Sequence, residues 1–246
     1  MRNRAYARGL RLLPGAVVAA VAAVVLAGCG TGPTPVGTSG VDELTVPSPS
    51  PDPADFVVGV DSAWWPLATG DVAVFRDGAG RELRRTVAAP TQLAGVSAVP
   101  VTTEPVLATW PAGQAPPVTT DWYAQDRRGN VWLVGGTGTD GATWTIGSAG
   151  PPAGLVVTAV PRVGDGYVRR APEALGSLPG LRVRVLDTSG VEELGDEELE
   201  TTVLEVVAGA ESVADSGSAV DEEVLGRGVG LVRFTADGVV WSRVDR

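Results

Sequence analysis

Any chemistry in this chain must come from carboxylates, hydroxyls, arginines and indoles. The sequence contains no histidine, and its 19 basic residues are all arginine. Without an imidazole there is no histidine base, no Ser-His-Asp triad and no histidine metal ligand. Without lysine a Ser-Lys pair is closed as well. Two groups of residues remain. The first is an acidic cluster: Asp187, Glu192, Glu193, Asp196, Glu197, Glu198 and Glu200. Paired carboxylates can do acid–base work or hold Ca²⁺. The spacing fits no EF-hand loop, and a charge run of this kind reads as a solvated loop. The second group is aromatic. Trp64 and Trp65 precede Pro66-Leu67, while Trp122, Tyr123 and Trp132 fall within Asp121–Trp132. Indoles offer a large contact area at small entropic cost. They could rim a cavity and grip an apolar or glycan ligand, or simply plug one end of a fold. These five residues are the candidate ligand-binding set; no catalytic residue, metal or cofactor is assigned. Gly135-Gly136-Thr137-Gly138 does not lead into a helix through Gly-Lys-Ser/Thr, so it reads as an inter-strand turn rather than a phosphate cradle.

The single cysteine sits at a telling place. Residues 1–15 carry four arginines and no acid, and Ala16–Gly28 has no polar side chain. Thirteen residues of helix span about 20 Å, short of the ~30 Å hydrocarbon core. A basic start, a short apolar run and a small-residue end read as an export signal. Leu26-Ala27-Gly28-Cys29 looks like a bacterial lipobox, where cleavage precedes a lipid-modified cysteine. Residues 1–28 are therefore expected to be removed and Cys29 to become a thioether-linked lipid anchor on the extracytoplasmic face of the cell membrane. Each buried methylene contributes about 0.8 kcal/mol, so two or three acyl chains hold firmly. Losing the leader removes four arginines and no acid, moving the net charge from −10 to −14. So acidic a body is a poor partner for nucleic acid. From Cys29 to Asp55 the chain is rich in Pro, Ser, Gly and Thr, and reads as a disordered tether.

The remaining stretch, 56–246, has a two-residue rhythm. Val72–Asp77, Leu181–Leu186, Thr201–Val207 and Gly230–Thr235 are short, alternating or β-branched. Turn signals at Asp77–Gly80, Arg127–Asn130 and Ala236–Gly238 separate such runs. The expected fold is all-β, a single curved antiparallel meander sheet or partly open barrel. Glu192–Leu199, the one helical candidate, is broken by Gly195 and reads as a loop or a single turn.

The Asp121–Trp132 stretch reads as a hairpin. With Arg127-Arg128-Gly129 as a three-residue loop and Gly129 in the left-handed position, Asp126 faces Asn130, Ala124 faces Trp132 and Tyr123 faces Leu133. Asp126 can accept turn amides, with both arginines projecting into water. Both faces carry apolar bulk, so both are expected to be covered.

Three segments resemble an uncharacterised family of exported lipoproteins common in actinobacteria. Val60-Asp61-Ser62-Ala63-Trp64-Trp65-Pro66-Leu67-Ala68-Thr69-Gly70 is similar to the family's opening motif. Asp121–Trp132 matches its DWYAQDxxGNVW hairpin, and Gly228–Arg233 its GVGLVR stretch. Order and spacing agree from about residue 57 onward. The resemblance implies a curved antiparallel sheet of the kind that holds hydrophobic guests. It carries over no catalytic residue. The chain departs from the pattern at Val224-Leu225-Gly226, where the family has Tyr-Tyr-Ala, and at Leu133, where it has Tyr. If those tyrosines line a pocket, the pocket here is less polar. The functional expectation is a membrane-anchored, non-enzymatic binding or carrier module for an apolar or envelope-derived ligand. The alternatives are an envelope structural or protein-interaction lipoprotein without a small-molecule ligand, and a carboxylate-dependent hydrolase.

Overall fold

The computed structural model describes residues 51–138, 141–147, 150–170, 180–208 and 220–244. The export signal, Cys29 and most of the expected tether lie outside these residues. The strands in chain order begin with β1 (Phe56–Val57), β2 (Val60–Asp61), β3 (Pro66–Leu67), β4 (Val72–Asp77), β5 (Glu82–Val87) and β6 (Thr91–Leu93). They continue with β7 (Val96–Pro105), β8 (Thr119–Asp126), β9 (Val131–Thr137), β10 (Thr143–Thr145), β11 (Gly154–Val157) and β12 (Gly166–Arg170). The last are β13 (Leu181–Leu194), β14 (Glu197–Ala208), β15 (Val220–Gly226), β16 (Gly230–Ala236) and β17 (Val239–Arg243).

Fifteen of these form one antiparallel sheet in the order β10-β9-β8-β7-β5-β4-β17-β16-β15-β14-β13-β12, with β1 on β8, β6 on β7 and β11 on β9. The remaining two, β2 and β3, make a small ribbon of their own. One departure from the meander is telling: β17 returns to pair with β4, so the middle of the sheet joins strands from opposite ends of the domain. The sheet curls on itself without closing into a barrel. Its inner face gathers one large core that runs from Val60 and Trp65 through Val99, Tyr123 and Trp132 to Val183, Leu204 and Leu225.

The two flanks of the sheet meet at β11 and β12. The four residues of β11 are all buried. Tyr167 Oη on β12 donates to the Val156 carbonyl at 3.0 Å, and Arg169 Nη2 donates to the same oxygen at 3.2 Å. Gly154 lies so close that a Cβ would fall on the Arg169 backbone carbonyl. Side chains thus do at this seam what ladder bonds do elsewhere, and a strand edge that would otherwise be open to pairing is covered.

The β8–β9 hairpin takes the expected register at its tip: Tyr123 opposes Leu133, Ala124 opposes Trp132 and Gln125 opposes Val131. Gly129 has φ +85°, the left-handed value the loop requires. Asp126 Oδ1 accepts from the Arg128 and Asn130 amides at 2.8 and 3.0 Å. Its Oδ2 accepts from Asn130 Nδ2 and Trp132 Nε1, both at 2.9 Å. Two details differ from the sequence reading. A bulge between Trp122 and Tyr123 pairs Trp122 with Gly135. Arg127, instead of reaching only into water, donates from Nη2 to the Ala54 carbonyl at 2.7 Å. That bond fixes a single 3₁₀ turn, Pro53–Asp55, capped by Asp52, at the end of the stretch read as tether.

Two segments read as loops belong to strands. Leu194 opposes Glu197 across a two-residue turn, so Glu192–Leu199 is the tip of the long β13–β14 hairpin. Gly195 has φ +62° at the first turn position, a hairpin geometry that glycine permits. The charges face water along the ladder and concealed the strand pattern. Gly135 and Gly136 lie inside β9 rather than in a turn. They are glycines because Trp122, Trp144 and the Asp121 carboxylate press onto the backbone there: a Cβ on Gly136 would stand 2.7 Å from Trp144 Nε1.

Asp77 ends β4 and organises the turn into β5. Its Oδ1 accepts from the Ala79 and Arg81 amides at 3.0 and 2.8 Å, and its Oδ2 from Arg81 Nε at 2.6 Å. Burial opposes the charged form, but the Arg81 guanidinium and the turn amides outweigh it and hold the carboxyl below its ordinary value. A lowered carboxyl pKa stabilises the fold above the ordinary value of about 3.9 and ceases to do so as pH falls through the lower folded value. Asp77→Asn is therefore expected to be less stable than the parent near neutrality. The gap should narrow on acidification below about pH 4, read from urea midpoints across a pH series. A gap that stays constant with pH would rule out the ionised form as the stabilising one.

Candidate functional site

Three separate stretches of sequence meet at the β2–β3 ribbon. Gln125 on β8 grips it from one side: Nε2 donates to Asp61 Oδ1 at 2.6 Å, and Oε1 accepts from the Asp61 amide at 2.9 Å. Tyr123, two residues earlier and on the same face, packs its ring on Trp65 with centroids 5.5 Å apart. From the other side the Gly228 amide donates to the Ala63 carbonyl at 2.7 Å. The guanidinium of Arg227 covers Trp64 at 5.9 Å. Gly230, with φ +83°, turns the backbone alongside Pro66, whose Cδ would be in ordinary contact with a Cβ there at 3.5 Å. The segments Val60–Leu67, Asp121–Trp132 and Gly228–Arg233 are one structural unit, held by hydrogen bonds as well as packing.

Beneath this ribbon lies a partly open cavity of about 380 Å³. Trp65, Leu67, Phe75, Val87, Val101 and Leu231 give it apolar walls; Arg85, Asp71 and Arg243 are its charged members. Volume and lining fall at the lower end of the range typical of small-molecule sites, with apolar walls and few polar groups. Of the five candidate residues, Trp65 lines the cavity. Trp64 is buried beside it in the ribbon, while Tyr123 supports Trp65 from behind. Trp122 and Trp132 belong to the hairpin and its packing, and neither borders the cavity. Trp65 both packs in the core and forms a wall of the cavity.

Behind Arg85 is a polar cluster inside the curl. Arg169 Nη1 donates to Glu223 Oε1 at 2.6 Å, with side chains only 8% and 18% exposed. Burial alone would lower the Arg169 pKa, but the Glu223 charge and hydrogen bond prevail and raise it, so the guanidinium stays charged. Asp121 is pushed above the ordinary carboxylate range by burial, although Arg85, Arg170 and Arg169 pull against that shift. The Tyr123 hydroxyl approaches Asp121 Oδ2 at 3.5 Å. Burial holds both Tyr123 and Tyr167 in the neutral form, well above the usual phenol range. Hydrolysis by paired carboxylates needs two acids facing each other with one pKa raised. Asp121 has a raised pKa, but the charges that act on it are arginines; Asp221, half-buried on β15, is raised by burial and then by the carboxylates of Asp237 and Glu223, away from the cavity lining.

No protein-family model, curated protein or solved structure matches this chain. The site is thus defined by its own geometry. Among the described residues, no three His, Cys, Asp or Glu side chains gather as metal ligands, and no helix is long and apolar enough to cross a membrane.

Several residues of the site escaped attention in the sequence. Arg85 has the parity of Leu83 and Val87, both buried, and Arg169 the parity of buried Tyr167. A charge on the inward phase of a strand was the available signal. Asp121 and Trp144, which share the ground above Gly136, had none.

Proposed function

We propose that this protein is a lipid-anchored extracytoplasmic module that binds or carries a small apolar ligand without transforming it. The observation that supports this reading is the cavity of about 380 Å³ under Trp65, walled by aliphatic and aromatic side chains and partly open to solvent. The Asp61–Gln125 clamp gives its roof a fixed position, and preorganisation of that kind lowers the entropic cost of binding. The anchor rests on the lipobox-like ending at Cys29 and the export signal before it.

Two measurements test the proposal. Intact mass of the membrane-extracted protein should correspond to a chain that starts at Cys29 and bears acyl groups. A mass that retains residues 1–28 and a free thiol would remove the anchor from the proposal. An uncharged, environment-sensitive fluorophore should bind saturably at one site per chain and be displaced by apolar molecules extracted with the protein. If nothing co-purifies and the fluorophore does not saturate, the cavity is not a binding site and the interaction-protein alternative takes its place.

A further inference from the structure

The charged lining of the cavity is unequally satisfied. Most arginines of the described residues stand against carboxylates: Arg76 with Glu82, Arg81 with Asp77, Arg184 with Glu205 and Arg227 with Glu200 are instances. Arg85 does not. Its guanidinium carbon lies 5.4 Å over the Trp65 ring, and among the described residues it has no carboxylate within salt-bridge distance. Its charge acts on Asp121, a carboxylate on which Arg169 and Arg170 act too. Of the other charged groups at the cavity, Asp71 is exposed at the rim, and Arg243 spends one N–H on the Val229 carbonyl at 3.2 Å. Trp65 offers the cavity its ring; its Nε1 is buried out of contact with that space. An arginine fork without a carboxylate partner suits a two-oxygen acceptor and matches a carboxylate.

We infer that the cavity takes a single-chain amphiphile with a carboxylate head, the head at Arg85 and the chain along Leu67, Val87, Val101 and Leu231. This rests on the reading of the cavity as a binding site and adds the chemical class of its ligand. Size agrees. If a methylene displaces about as much as a water, roughly 30 Å³, then about 380 Å³ holds around a dozen non-hydrogen atoms. A medium-length acyl chain fits within that space, and a longer one would continue through the open side.

The test compares decanoate, decanol and decylamine, which share a chain and differ in head charge, by calorimetric titration at pH 7. The protein is the full chain with Cys29→Ser, prepared without detergent. Decanoate should bind most tightly and decylamine least. Arg85→Gln should weaken decanoate by roughly 10- to 100-fold while leaving decanol within about twofold, and Arg85→Lys should keep part of the preference. Equal binding of decanoate and decanol to the parent overturns the inference and leaves the apolar-binding reading standing. Equal losses for both ligands in Arg85→Gln overturn it in the same way. Binding of none of the three defeats the binding reading itself. Should Arg85→Gln lose its near-ultraviolet dichroism, the parent's decanoate-to-decanol ratio and the Arg85→Lys titration decide the matter.

Discussion

Gly154→Ala is expected to destabilise the domain by about 3 kcal/mol or more, far beyond the usual cost of a single methyl group. The reason is local and rigid. A Cβ at Gly154 would coincide with the carbonyl of Arg169, a backbone group that no rotamer change can move aside. Gly154 is also tied to β9 through its pairing with Leu133, so β11 cannot simply step back. The strand must leave the seam. Val156 would then lose the bonds it accepts from Tyr167 and Arg169. The urea midpoint should drop sharply, and hydrogen exchange at residues 154–157 should accelerate more than at β14. A loss under about 1 kcal/mol would mean that β11 and β12 do not press together as described.

The second large effect concerns the Arg169–Glu223 pair. Arg169→Met leaves Glu223, whose side chain is 18% exposed, without its partner, and removes the donor to the Val156 carbonyl. Breaking a buried pair from one side typically costs about 3 to 5 kcal/mol, because the stranded charge has neither water nor partner. The double variant Arg169→Met/Glu223→Leu should recover much of that loss, since two apolar groups of similar volume need no such partner. Thermal or urea denaturation of the two singles and the double closes the cycle. If the double is no better than Arg169→Met, the pair is not the source of the cost, and loss of packing around Tyr167 is.

Local elements were legible in the sequence and the curl that assembles them was not. The β8–β9 hairpin could be drawn residue by residue because its determinants lie within twelve positions: Asp126 accepting turn amides, Gly129 free to adopt positive φ, alternation on either side. The bulge at Trp122 was hidden, since Trp144, which packs on Gly136 next to it, comes from outside the hairpin. The β13–β14 tip was misread because seven acids obscured a sound strand pattern. Gly135 and Gly136 looked like a flexible turn because sequence does not show which ring will press on a backbone. Trp65 was singled out by its residue type. Its cavity could not be foreseen, because the walls come from β3, β4, β5, β7 and the β15–β16 turn, segments brought together only by the curl. Arg85 was visible in principle, as a charge on the inward phase of β5.

The union of β17 with β4 bears on the order of events in the cell. Every ladder on either side of that junction can form early, but the ladder that makes the sheet continuous waits for β17. Contacts so distant along the chain also form slowly. Here the delay is written into the topology: the sheet can become continuous only once β17 is available to β4.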